Sequence, residues 1–120
     1  MLPFHLFHLN QDEFGLAWPL ARTAHPELQL DGWKRLATDL RARGGGVLAL
    51  AAPDDVLHGI ATYEPTEKPR CGRILAVSTL VTFELNGRAP VEKLLRNALE
   101  RLAEQLACSA VFIRMRNRRL

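Results

Sequence analysis

Ile74 to Phe83 carries apolar side chains on both of its faces. Strand alternation puts Ile74, Ala76 and Leu80 on one side and Leu75, Val77, Val81 and Phe83 on the other. Such a strand belongs in the interior of a sheet covered on both sides, which restricts the chain to a layered fold with helices over the sheet. The residues just downstream supply one cover. Glu84 to Ala89 is a tight polar corner, Pro90 to Ala107 a two-sided helix, and Ala110 to Met115 a second apolar strand. Strand, crossover helix and strand predict a parallel pair, and in open α/β sheets ligands sit at the corner where a strand feeds a helix.

The helix from Pro90 has Leu95, Ala98, Leu99, Leu102 and Leu106 on its inner stripe and Glu92, Lys93, Arg96, Glu100, Arg101 and Glu104 on its outer one. Pro90 suits a first turn, where its missing N–H has no intrahelical partner. Upstream, Phe4 to Leu9 reads as a first strand; His5 and His8 then point to opposite faces and cannot share a metal. Asn10 and Glu13 form a capping-box pair before a helix that Pro19 must kink or restart. Asp31 is the expected N-cap of a second helix with Trp33, Leu36, Ala37 and Leu40 inward, stopped by Gly44, Gly45 and Gly46. Val47 to Ala52 and Val56 to Tyr63 predict an antiparallel hairpin, with Gly59 marking a bulge or a close backbone approach. Glu64 to Gly72 reads as a polar loop. The expected class is therefore α+β, a mixed sheet in the order β-α-α-β-β-β-α-β within a single domain spanning residues 1–120.

Composition excludes several functions. The chain of 120 residues is 48% hydrophobic and 24% charged, ordinary values for a soluble globular protein. Its longest uninterrupted apolar run is the six residues Val47 to Ala52, far below the ~20 that span a bilayer. With no secretion signal at the N-terminus, and with Cys71 and Cys108 expected to be reduced, a cytoplasmic location is expected. The net charge of +3 is local: Arg114, Arg116, Arg118 and Arg119 lie in the last seven residues, and without them 12 basic face 13 acidic residues. A solvated basic tail is expected rather than a nucleic-acid surface. There is no G-x-S-x-G, H-E-x-x-H, Walker or Cys-x-x-Cys motif, and His25 and His58 stand isolated in the sequence.

This element order, together with Asn86-Gly87-Arg88-Ala89-Pro90-Val91 at the corner, resembles the GNAT (GCN5-related N-acetyltransferase) superfamily, in which a [Q/R]-x-x-G-x-[G/A] loop binds the pyrophosphate of coenzyme A through backbone N–H groups at a helix mouth. The loop is degenerate here: Asn86 stands for Gln or Arg, Ala89 and Val91 replace the small residues, and Pro90 removes one donor. The resemblance implies an acyl-coenzyme A cofactor, acetyl-CoA first, with Gly87, Arg88, Ala89 and Val91 around the pyrophosphate and no metal. It also implies that the backbone of Leu80, Val81 and Thr82 pairs with the pantetheine arm in the manner of strand addition.

The implied activity is acyl transfer to an amine, of a small molecule or a peptide. Glu64 and Glu84 are the carboxylates that could act as base, each also readable as a solvated acid at a strand end. The tyrosine acid common in the family has no counterpart. The alternative is a non-catalytic module of the same fold, used for dimerisation or partner binding after loss of the cofactor loop. GNAT domains continue past the fifth strand with a further helix and two strands. The chain is thus expected to be truncated after that strand, its open edge covered by a second copy in a homodimer or by another protein.

Overall fold

The computed structural model describes residues 4–83 and 91–114 and the backbone of 117–119. Its central strand is β4, Gly72–Thr82. β3, Leu57–Lys68, pairs antiparallel along one side of β4. On the other side run β5, Ala110–Ile113, and β6, Asn117–Arg119, both parallel to it. β1, His5–His8, and β2, Gly46–Ala51, complete the sheet in the order β1-β2-β3-β4-β5, with β6 also on β4. Between β1 and β2 come a 3₁₀ segment, Gln11–Ala17, and helices α1, Trp18–Ala24, and α2, Leu30–Ala42; α3, Val91–Gln105, crosses from β4 to β5. The predicted class and order hold, and the sheet gains β6, which the sequence does not announce.

Two apolar layers sandwich the sheet. On one face Phe14, Ala21, Trp33 and Ala37 pack against Val47, Ala49, Ile60 and Val81. On the other, Val91, Leu95, Leu99 and Ala103 of α3 pack against Leu48, Leu75, Val77 and Leu80. Leu80 therefore joins Leu75 and Val77, whereas strict alternation groups it with Ile74 and Ala76. The cause is a bulge: Thr62 pairs with Thr79 and Tyr63 with Val77, leaving Ser78 as an extra residue that exchanges the faces of the strand beyond it.

Local chemistry explains most element ends. The Glu13 carboxylate accepts the Asn10 N–H at 2.8 Å, as the capping pair requires. Pro19 falls in the first turn of α1, so it restarts a helix instead of kinking one. α2 begins earlier than expected, with Gln29 as N-cap and Asp31 inside the first turn, favourable for the helix dipole. It ends where Gly44 takes φ 87°, with Gly44 N–H donating to Arg41 O and Gly45 N–H to Leu40 O. β3 extends into the stretch read as a loop as far as Lys68, and the turn is confined to residues 69–71. β2 pairs no further than Tyr63, so Glu64–Lys68 form an edge where Pro65 is tolerated without breaking a second ladder.

Gly59 shows both features expected of it. The register of β2 against β3 shifts beside it, and a Cβ there would lie 2.7 Å from Leu95 Cδ1 and 3.0 Å from Val91 Cγ1. α3 thus rests directly on the β3 backbone. Gly59→Ala is expected to lower unfolding stability in urea by about 1–2 kcal/mol, because overpacking outweighs the entropic gain of ~0.5–1 kcal/mol from removing a glycine. Gly15→Ala, whose Cβ would meet only Lys34, with Cε at 3.4 Å, is the control and should shift stability by no more than ~0.5 kcal/mol.

Candidate functional site

The sheet opens at the bulge. β4 and β5 stay in register from Ile74–Ala110 to Val77–Ile113, and β4 meets β6 again at Leu80–Asn117. Ser78 and Thr79 of β4 fall between the two parallel ladders and belong to neither, so the pairing on this side is interrupted there. Arg114 N–H closes the near side by donating to Val77 O at 2.9 Å.

Around this fork the side chains are polar in an otherwise apolar layer. Thr79 Oγ1 lies 2.6 Å from His25 Nε2, and Thr62 Oγ1 lies 2.8 Å from Ser78 Oγ. His25 is placed by α1: it caps that helix, its N–H donating to Ala21 O, and the loop to α2 brings Glu27 Oε1 to 3.8 Å from its Nδ1. The imidazole is largely buried and the Glu27 side chain exposed, 12% against 59% accessible. His25, isolated in the sequence, is therefore joined to the central strand across 54 residues, a contact that nothing in the local sequence signals.

Glu64 stands at the register of Ala76 and is held by Arg43, whose Nε donates to its carboxylate at 2.6 Å. That hydrogen bond, and the charge of Glu64, raise the Arg43 pKa. Thr79 pairs with Thr62, two residues from Glu64, so Glu64 lies about 7 Å of strand, at ~3.3 Å per residue, back from the fork. Glu84, Gly87, Arg88 and Ala89 lie outside the described residues. Val91 is the first residue of α3, and its side chain is fully buried against Gly59. The lone tyrosine, Tyr63, belongs to the α3 layer, where burial raises its pKa and keeps the hydroxyl protonated.

Two observations bear on the cofactor that the resemblance implies. Thr82, at the end of β4 on the face that carries α3, has a fully buried Oγ1 without a hydrogen-bond partner among the described residues. A buried hydroxyl left in this way, nine residues before the first residue of α3, suits a ligand rich in acceptor oxygens. Against this, the backbone edge of Leu80, Val81 and Thr82, expected to receive the pantetheine arm, is paired with Asn117–Arg119. The arginine-rich tail, expected to be solvated, thus includes a strand of the sheet. Among the described residues no three His, Cys, Asp or Glu side chains gather as metal ligands, both cysteines are free, and no helix is long and apolar enough to cross a membrane.

No protein-family model and no curated protein sequence matches the chain. Solved structures do. An aminoglycoside N-acetyltransferase in complex with CoA superposes with a TM-score of 0.81 at 14% identity, over 93% of this chain and 76% of that one. The ribosomal-protein-alanine N-acetyltransferase of Brucella melitensis biovar Abortus 2308 gives 0.74 at 18% identity, over 96% and 80%. A GNAT family acetyltransferase of Staphylococcus aureus gives 0.78 at 12% identity, over 97% and 89%. The chain has the GNAT fold.

Arg43 and Glu64 are 56% and 27% exposed, so solvent screens the pair and it contributes little to stability. Glu64→Gln is expected to leave the urea midpoint nearly unchanged, with far-UV circular dichroism intact. A loss above ~2 kcal/mol would show that the pair braces the α2–β3 junction instead.

Proposed function

We propose that the chain binds an acyl-coenzyme A, acetyl-CoA first, and transfers the acyl group to an amine. The observation that carries this reading is the fork at Ser78–Thr79, where the central strand parts from its parallel neighbour on the way to a helix N-terminus. The GNAT likeness supports it. When bound, the cofactor supplies an activated thioester. The chain's part is to hold it by the β4 edge at Leu80–Thr82 and by the corner Gly87, Arg88, Ala89 and Val91, and to take the proton that an ammonium acceptor must lose before its nitrogen can attack.

His25 is the residue we assign to that proton. Its link to Thr79 sets it at the level of the fork, and Glu27 beside Nδ1 stabilises the imidazolium that results. Glu64, about 7 Å back along the strand and held by Arg43, is a carboxylate base to test beside His25. Glu84 remains a second carboxylate base to test. The first acceptors to try are an aminoglycoside and an N-terminal alanine peptide, the classes named for the structural neighbours.

β6 competes for the pantetheine edge. Calorimetric titration with acetyl-CoA should therefore give tighter binding, by tenfold or more, after deletion of residues 117–120. Equal affinity of the two chains would place the arm elsewhere, and no heat from either at millimolar ligand would leave the non-catalytic module as the reading.

With an acceptor in hand, His25→Asn should lower kcat by about 10²-fold or more and remove the acid limb of the pH–rate profile, while acetyl-CoA affinity stays as in the parent. If Glu64→Gln or Glu84→Gln does this and His25→Asn does not, the base is that carboxylate.

A further inference from the structure

The face of the sheet opposite α3 is only partly covered. α1 and α2 lie over Ile60 and Val81, and beside them the strip of the same face on the β5 side is exposed at Ala110 and Phe112. There a groove of about 500 Å³ has Ile74, Ala76, Ala110 and Phe112 as its floor, Ile74 and Ala76 buried at its bottom and Phe112 61% exposed at its side. Lys68 and Arg70 stand at the β3–β4 turn and Arg114 past the far end of β5. Among the described residues no carboxylate lines it. The cations therefore ring a floor that is fixed by the ladder.

We propose that this groove is the docking site for an acidic amphipathic helix of another protein. A sheet face buries itself against a helical layer, and α1 and α2 already define that layer beside the strip. Lys68 pairs with Gly72 and Arg114 follows Ile113, the partner of Val77, so the two ends are six strand positions apart, about 20 Å at ~3.3 Å each. That is about 13 residues of helix at 1.5 Å per residue. The fitting helix has an acid near each end and an apolar stripe between. Ala76 and Ala110 keep the floor low enough for it to approach.

Charge and geometry decide between occupants. A second copy brought face to face would oppose cations with cations, and the helices it could offer, α2 and α3, already bury their stripes in their own core. An anionic membrane would meet the same cations but is flat, whereas the floor lies in a concavity.

The test is titration of the 15N-labelled chain with a synthetic helical peptide of about 15 residues, Leu and Ala on one face and Glu on the other, beside the same peptide with Lys for Glu. The Glu peptide should shift the amides of Ile74, Ala76, Ala110 and Phe112 and bind at least tenfold tighter than the Lys peptide. Phe112→Asp and Arg114→Glu, both at exposed positions, should each weaken it tenfold or more with unchanged thermal unfolding. Equal binding of the two peptides, shifts confined to other faces, or insensitivity to both substitutions would overturn the assignment. So would self-association in sedimentation that Phe112→Asp abolishes, or cosedimentation with phosphatidylglycerol vesicles without response to the peptide.

Discussion

Everything in this fold depends on β4 being buried from both sides. Leu75, Val77 and Leu80 are fully buried under α3, and Val81 under α1 and α2. A polar side chain on a strand so placed is costly unless it finds a partner, and among the described residues Thr82 is left without one. Ser78 and Thr79 interrupt the apolar run, and Thr62 and His25 answer them. The bulge is how the sheet accommodates both hydroxyls: it keeps Thr79 toward α1 while returning Leu80 to the α3 layer. The fork from β5 has its origin in the same extra residue, because a strand with an unmatched position cannot hold two ladders in register across it.

The parts of this architecture legible in the sequence are those written as periodicity. The stripe Leu95, Leu99 and Leu102 on α3, the inward Trp33 and Ala37 of α2, and the two-faced run of β4 each state a burial direction in neighbouring residues. The hidden parts depend on pairing over distance. Strict alternation misassigned Leu80 and Val81 because a bulge is a relation between two strands; its one local trace is the Ser78-Thr79 pair inside an apolar run. Glu64–Gly72 looked like a loop for its prolines and charges, yet at an edge strand those residues meet water and one ladder only. His25 reaches Thr79 through the fold of α1, which no spacing within residues 18–31 discloses.

The candidate site was read unevenly for the same reason. The resemblance directs attention to the corner at Gly87 and to the β4 edge, both defined by chain order. For a base it points to the carboxylates Glu64 and Glu84, whereas the loop that brings His25 to Thr79 is set by the fold. The resemblance does not reveal β6, since Asn117-Arg118-Arg119 is charged and short and carries no strand pattern. Backbone pairing is the contact that sets this strand against β4, and its sequence offers no apolar stripe to bury. An edge occupied by so short a strand is one that a ligand with hydrogen-bonding amides can contest.

Arg114 connects the fork and the groove. Its N–H bonds Val77 O at the near side of the fork, while its side chain lines the groove. Residues 110–113 are tied to β4 by a parallel ladder, so a load on the groove floor is carried to the fork through four paired positions and not through a loose tail. Coupling between distant sites needs an element with two arrangements that both sites bias. Among the described residues no parallel ladder joins β4 between Val77 and Leu80, and Arg114, bonded to Val77 O, is common to the groove lining and the near side of that gap.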